Sequence, residues 1–196
     1  MDEVNSVISE VLRREGWPQY TDHPADRGGP TKGGITLATL SAWRRRPVKA
    51  EDVRALGEAE ARAIYAERYI TAPRFDQIND PALRGLVIDA GVLSGPGQAA
   101  KWLQLAVGAK ADGIIGPATL AAIARRPANA IRLAFTAARV RFFGDLVQQN
   151  ANARQAGRET RDQALFVGGW LDRAMTDIDA MARDLDRAGK ERTDHG

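Results

Sequence analysis

The stretch that combines a helix with a hairpin spans residues 2–36 and reads DEVNSVISEVLRREGWPQYTDHPADRGGPTKGGIT. Its first part is amphipathic, because apolar residues recur at helical spacing: Val4, Val7, Ile8, Val11 and Leu12. This pattern predicts a helix over residues 2–14, which Gly16 and Pro18 end. The helical period then disappears. The closely spaced prolines and glycines that follow predict a loop or a short, irregular β-hairpin.

The rest of the chain repeats the helical pattern in blocks that proline and glycine separate. Further helices are expected to begin near residues 36, 58, 81, 96, 117, 127 and 161. The short helix after Thr36, which caps it, is expected to turn Leu40 and Trp43 inward. No long alternation of apolar and polar residues is present, so we expect a mainly α fold with a small irregular β-hairpin after the first helix.

Composition narrows the classes of function. The chain has 196 residues, no cysteine and two histidines, which excludes thiolate chemistry and leaves a zinc site without its usual ligands. We therefore expect no metal and no cofactor. No apolar run is long enough for stable membrane insertion, and no secretory signal is recognisable. If the chain is an enzyme, carboxylates are its remaining catalytic groups.

The charge is distributed unevenly but weakly. Residues 1–95 hold 13 Lys and Arg against 14 Asp and Glu, whereas residues 96–196 hold 15 against 11. The later half is therefore mildly basic, which suits an anionic polymer but is too weak a signal for nucleic acid.

Glu15 occupies a position where the apolar pattern of the first helix predicts an apolar side chain. The stripe that contains Ile8, Val11 and Leu12 continues to position 15, at the negative end of the helix dipole. Burial and the dipole would both favour the proton-bearing acid. Such an acid is what a glycoside hydrolase needs to protonate the departing sugar oxygen. The alternative is a frayed helix end, with Glu15 turned to solvent.

The loop after this helix contains candidates for the second group that glycoside hydrolysis requires. That group is a carboxylate on the other side of the scissile bond, or a polar side chain that positions water. Asp22, Asp26, Thr31 and Thr36 all follow within the hairpin region. Glycines in the same region permit a tight fold-back and a close approach of sugar to backbone.

Asp22 and Thr36 are also candidates for binding substrate, and three more residues are candidates for binding substrate or supporting the site. Trp17 and Tyr20 have aromatic faces that suit the apolar side of a pyranose ring, although core packing is the alternative for any aromatic residue. Asp89 lies one residue off an apolar helical stripe. It is a candidate for holding the hairpin and the surroundings of Glu15, and the alternative is a solvated helix residue.

Several short motifs occur together at a characteristic spacing. They are Glu15-Gly16, Tyr20-Thr21-Asp22, Asp26-Arg27-Gly28-Gly29-Pro30-Thr31, Gly33-Gly34-Ile35-Thr36, Ala63-Ile64-Tyr65, Asp89-Ala90-Gly91-Val92, Asp112-Gly113, Gly116-Pro117 and Gly169-Trp170-Leu171. Together they resemble glycoside hydrolase family 108, a family of bacterial and phage lysozymes. The resemblance covers about residues 8–175. It departs at Trp17, where the family has glycine, and at Leu93, where it has asparagine.

The resemblance implies a lysozyme-like helical fold and a catalytic acid at Glu15. Asp26 and Thr31 would be the groups that activate or position water, with Asp22 as a further candidate. Residues 1–95 would form the catalytic region. Residues 96–188 would form a peptidoglycan-binding-like region packed on it, and residues 189–196 a charged tail.

The implied activity is hydrolysis of the β-1,4 bond between N-acetylmuramic acid and N-acetylglucosamine. The partner would be the glycan strand, and we expect a monomer, an inverting reaction course and an endolysin-type role. The enzyme would be made in the bacterial cytoplasm and act on periplasmic peptidoglycan after passage through a holin-like pore or another export route. The alternatives are a non-catalytic peptidoglycan-binding or secretion-associated protein of the same fold, and a chitinase-like specificity.

Overall fold

The computed structural model describes residues 2–22, 29–158 and 162–193, with side chains described between Asn5 and Arg187. The chain divides into two compact units, Met1–Pro96 and Gly97–Gly196.

The first unit consists of helices and a small sheet. Helix α1 (Asp2–Arg14) leads into a three-stranded antiparallel sheet of strands β1 (Tyr20–Thr21), β2 (Thr31–Lys32) and β3 (Ile35–Thr36), in the order β1-β2-β3. The remaining elements are α2 (Leu37–Arg44), α3 (Ala50–Arg54), α4 (Glu58–Ala66), a π-helical turn (Glu67–Thr71), a 3₁₀ turn (Phe75–Gln77) and α5 (Pro81–Ser94).

Side-chain caps fix where two of these helices begin. Thr36 has an extended backbone, and its hydroxyl accepts a hydrogen bond from the Thr39 N–H at 3.2 Å. Asp80 accepts one from the Leu83 N–H at 2.7 Å, with Pro81 in the first turn. Both caps satisfy backbone donors that a helix start leaves without partners.

The core of the first unit fixes helix α1. Its apolar stripe is buried through Ile8, Val11 and Leu12 against α4 and α5. Full burial of such a side chain contributes about 1.5–3 kcal/mol, so three of them hold the helix firmly. The position of the α1 C-terminus, where Glu15 lies, is thereby set by the core.

The second unit is built around two long helices. Its elements are α6 (Pro96–Val107), which starts at the division, α7 (Pro117–Ala124), α8 (Ala128–Gln155), a 3₁₀ turn (Gln163–Phe166) and α9 (Val167–Thr193). Trp102 of α6 is 1% exposed and lies edge-on to three rings of α8: Phe135, Phe142 and Phe143. Helix α8 packs along α9.

The expected mainly α class with a small hairpin after the first helix is confirmed, and α1 ends at Arg14 as the pattern predicts. Three details differ. The last helix begins at Val167 rather than near 161, after a 3₁₀ turn. The helix predicted to begin near residue 58 changes to a π-helical turn after Ala66. Trp43, expected inward, is 38% exposed. None of the described helices is long and apolar enough to cross a membrane.

Candidate active site

A paired-hydrogen-bond cap ends α1 and places Glu15. The Trp17 N–H donates to the Leu12 carbonyl at 2.9 Å, and the Gly16 N–H donates to the Arg13 carbonyl at 3.2 Å. This is the Schellman arrangement, which requires a left-handed residue, and Gly16 supplies it with φ +73°. Glu15 is therefore the C-cap residue, held between the helix and the turn that follows.

The turn after Glu15 is tied to the β2–β3 hairpin. The Gln19 N–H donates to the Gly16 carbonyl at 2.8 Å, and the Gly33 N–H donates to the Gln19 carbonyl at 3.0 Å. Trp17 lies against Gly33 so closely that an added Cβ there would come within 2.6 Å of its ring. The hairpin tip, which is Gly33 and Gly34, and the end of α1 thus form one hydrogen-bonded assembly.

Gly34 makes room for the Glu15 carboxylate. A Cβ on Gly34, which has φ +75°, would lie 2.4 Å from Glu15 Oε2 and 2.6 Å from the Tyr65 hydroxyl. The two oxygens are therefore at most about 5 Å apart, and both border the glycine. Tyr65 belongs to α4 and donates to the Gly33 carbonyl at 2.7 Å. Residues from three separate elements thus meet at one carboxylate.

The expected burial of Glu15 is wrong, because the residue is exposed. The apolar stripe ends with the helix, and the cap turns Glu15 towards the hairpin tip instead of the core. Within residues 2–22, 29–158 and 162–193, its carboxylate makes no hydrogen bond or ion pair. The neighbouring Arg14 points elsewhere, with Nε 2.7 Å from Glu10 Oε1 and Nη1 3.8 Å from Asp89 Oδ1. As far as the described residues go, the acid is therefore open to a ligand, and the cation beside it does not engage it.

Two threonines of the hairpin have defined partners. Thr31 is partly buried on β2 and donates its hydroxyl to the Gly29 carbonyl at 2.9 Å, which leaves the oxygen able to accept from water. The Thr36 hydroxyl caps α2, as predicted, and lies 3.0 Å from the Thr39 hydroxyl. A role for either threonine in catalysis or in substrate binding stays a prediction.

The aromatic candidates already have neighbours on their faces. Lys32 Nζ lies 5.2 Å from the centre of the Trp17 ring, and the Arg54 guanidinium carbon lies 4.6 Å from the centre of the Tyr20 ring. The Tyr20 hydroxyl donates to the exposed Asp22 carboxylate at 3.0 Å. A sugar that stacks on Tyr20 would need the face opposite Arg54, and stacking on Trp17 or contact with Asp22 stays a prediction.

The two remaining predicted site residues are Asp26 and Asp89. Asp26 lies outside the residues that the structure describes. Asp89 is half-buried on α5, and its contact with Arg14 links α5 to the end of α1. In the described part of the chain, no group of three His, Cys, Asp or Glu side chains could hold a metal ion.

Sequence reasoning did not identify Tyr65 or Lys32 as part of this region. Tyr65 lies on the apolar face of α4, and its contact with Gly33 spans 32 positions of sequence. A buried tyrosine needs a partner for its hydroxyl, which was the available signal. Lys32 Nζ donates to the carbonyls of Arg54 and Leu56, each at 2.8 Å, so it anchors the hairpin to the end of α3.

Comparison with known proteins gives a consistent picture. Residues 8–95 match the family Glycosyl hydrolase 108. Among solved structures, the chain is similar to SagA of Brucella abortus, with 32% identity, a TM-score of 0.63, and coverage of 92% of this chain and 94% of that one. This chain belongs to the glycosyl hydrolase 108 family.

A second match follows the first along the sequence. Residues 98–175 match a family described as Predicted Peptidoglycan domain. No curated protein matches the chain. This glycosyl hydrolase 108 member therefore has a hydrolytic or binding role on peptidoglycan, and peptidoglycan is its partner.

Proposed function

We propose that the protein is a muramidase, which hydrolyses the β-1,4 bond between N-acetylmuramic acid and N-acetylglucosamine in peptidoglycan. Glu15 would protonate the glycosidic oxygen of the departing N-acetylglucosamine. Water would attack the anomeric carbon of N-acetylmuramic acid, positioned or activated by Asp26 or Thr31. The products would be a free N-acetylmuramic acid reducing end and a new sugar hydroxyl.

The observation that carries this proposal is the placement of Glu15. The Schellman cap, the hairpin tip and Tyr65 define where the carboxylate lies, while no described residue engages it. A general acid has to be both positioned and available to the leaving oxygen.

The test compares the wild type with Glu15→Gln on permeabilised Gram-negative cells, followed by loss of turbidity. General acid catalysis contributes about 10²–10⁴-fold, so we expect the variant to lose at least about a hundredfold in rate. Glu51→Gln is the matched control, because it removes an exposed carboxylate of α3. It should lyse the cells as the wild type does.

Sedimentation with purified peptidoglycan sacculi completes this test. Glu15→Gln should sediment with the sacculi as the wild type does, because the substitution leaves residues 97–196 unchanged. Equal and near-zero lysis by wild type and variant, with binding retained, would instead support the non-catalytic peptidoglycan-binding protein.

The endolysin-type role is part of the same proposal. The enzyme would act on periplasmic peptidoglycan as a monomer, after release from the cytoplasm through a holin-like pore or another export route. Its support is the family resemblance of the motifs around Glu15.

A further inference from the structure

We propose that Tyr65 is the positioning residue for the Glu15 acid, holding the hairpin tip and limiting where one carboxylate oxygen can lie. This inference rests on the proposed function, since it assigns a role in the reaction that Glu15 performs. Tyr65 would not touch the substrate. It would act through Gly33, Gly34 and Glu15.

The first support is that the Tyr65 hydroxyl already donates its hydrogen bond within the protein. The residue is 3% exposed, and its hydroxyl donates to the Gly33 carbonyl at 2.7 Å. Gly33 also donates its N–H to Gln19, in the turn that follows Glu15. Because the hydroxyl has one proton, its remaining hydrogen-bonding capacity consists of lone pairs that only accept. Tyr65 thus ties the hairpin tip to α4 on one side, while Gln19 ties it to the end of α1.

The second support is the convergence at Gly34. Glu15 Oε2 and the Tyr65 hydroxyl lie within 2.4 Å and 2.6 Å of the same point, the position of a Gly34 Cβ. Oε2 is therefore confined between the glycine backbone and the phenol, which leaves Oε1 as the oxygen free to deliver a proton to the glycan.

The third support is the persistence of this arrangement across pH. Burial raises the pKa of the Tyr65 phenol, and the nearby Glu15 carboxylate raises it further. The phenol therefore keeps its proton, and its hydrogen bond to Gly33, throughout the range in which a glycoside hydrolase works. Tyr69 stacks on the Tyr65 ring with centres 5.9 Å apart and planes 10° apart, which restricts the ring from behind.

The experiment measures steady-state rates of Tyr65→Phe on two substrates. One is solubilised glycan strand, whose sugar leaving group needs a proton. The other is a 4-nitrophenyl β-glycoside of the N-acetylglucosaminyl–N-acetylmuramic acid disaccharide, whose phenolate leaves without one. Tyr65→Phe keeps the buried ring and removes only the hydroxyl. Tyr69→Phe is the matched control, since it removes the hydroxyl of the stacked partner.

On glycan strands, Tyr65→Phe should lower kcat about tenfold with KM unchanged, as expected for an interaction realised in the transition state. On the nitrophenyl glycoside the loss should shrink to about twofold or less, in parallel with Glu15→Gln, because protonation matters little there. Tyr69→Phe should match the wild type on both substrates. A purely structural role for Tyr65 would reduce both rates equally.

Equal losses on the two substrates, or no loss on either, would overturn the positioning role. Thermal unfolding of Tyr65→Phe, measured beside the kinetics, separates lost folding from lost positioning. The two proposals fail differently. Inactive wild type, or Glu15→Gln as active as wild type, removes the proposed function, whereas full activity of Tyr65→Phe beside inactive Glu15→Gln removes only the role of Tyr65.

Discussion

Gly34 controls how closely Glu15 and Tyr65 approach each other, and a single methyl group tests this. Gly34→Ala places a Cβ 2.4 Å from the Glu15 carboxylate. The same Cβ would lie 2.6 Å from the hydroxyl of Tyr65, which is buried and hydrogen-bonded to Gly33, so both side chains must shift. We therefore expect activity on glycan strands to fall at least about tenfold, because small displacements of a catalytic group are costly. Alanine in the left-handed region costs about 1–2 kcal/mol, and the displaced Tyr65 hydroxyl should add to that loss of stability.

Gly108→Ala is the matched control for that variant. Gly108 has φ +74°, nearly the same as Gly34, but an added Cβ there meets nothing within 4 Å. Both variants should lose stability in chemical denaturation, Gly34→Ala more than Gly108→Ala, and only Gly34→Ala should lose activity. Equal activity of the two variants would contradict the close approach at Gly34.

At the residue scale, the sequence identified Glu15 as the candidate acid but did not predict its surroundings. The break in the apolar stripe identified Glu15, and Gly16 marked the end of the helix. The predicted burial was wrong because a C-cap residue leaves the helical register, so the stripe cannot be extended to it. Tyr65 was missed because its contact with Gly33 is a tertiary one, which leaves no local pattern.

At the element scale, α8 and α9 are joined by two ion pairs one heptad apart. Arg139 Nη1 lies 2.7 Å from Asp177 Oδ2, and Arg132 Nη1 lies 2.6 Å from Asp184 Oδ2. The later residue of one helix meets the earlier residue of the other, so the two helices run antiparallel in a defined register. Buried charged pairs are expensive to break, which suits them to specifying a register.

The variant Asp177→Ala tests whether the ion pairs stabilise the packing of α8 on α9. The Arg139 side chain is 3% exposed, so removal of its carboxylate leaves a buried cation. We expect the free energy of unfolding to fall by about 3–5 kcal/mol, measured by chemical denaturation. Asp179→Ala, an exposed position of α9, should change it by less than about 0.5 kcal/mol. Indistinguishable unfolding of the two variants would refute a stabilising role for the pair.

The starts of helices were predictable where a capping residue or a proline marks them in the sequence. Helix α5 starts at Pro81 after the Asp80 cap and α7 starts at Pro117, as the sequence signals predict. The start of α9 has no such signal, since the 3₁₀ turn at Gln163–Phe166 is a short intermediate that lacks its own pattern. The outward position of Trp43 has a similar cause, because α2 is too short for its period to define a face.

At the scale of the whole molecule, carboxylates in both units have pKa values below their ordinary range. Hydrogen bonds from Arg13 and Arg14 lower the pKa of Glu10 to about 2. Hydrogen-bond donors likewise lower the pKa of four more carboxylates: Asp52, Glu60, Asp112 and Asp162. A lowered folded-state pKa adds stability that is present above the unfolded-state value and is lost as pH falls towards the folded-state value.

The consequence is a directional pH dependence of folding. For Glu10 the relevant window runs from 4.5, the ordinary pKa, down to about 2. The melting temperature should therefore be nearly constant from neutral pH to about 5 and fall progressively below it. Circular dichroism melts across this range provide the measurement. A melting temperature that stays constant or rises on acidification to pH 3 would be inconsistent with these lowered pKa values.

The two family matches follow one another along the sequence. The family motifs around Glu15 lie in residues 8–95, and the peptidoglycan domain covers residues 98–175. The charge balance of residues 96–196 is basic only by 15 against 11, so charge alone did not identify the polymer that the chain binds. That information came from specific motifs, since net charge reports attraction and not chemical identity.

The central claim is that the protein is a muramidase whose acid is Glu15. Its most direct test is chemical analysis of the sugar ends that the enzyme creates. Purified sacculi would be digested with wild type or Glu15→Gln, the products reduced with borohydride, and the muropeptides analysed by mass spectrometry. The account predicts disaccharide muropeptides that end in reduced N-acetylmuramic acid, released by the wild type and absent with Glu15→Gln. Reduced N-acetylglucosamine ends, anhydro-muropeptides, or equal release by the variant would contradict it.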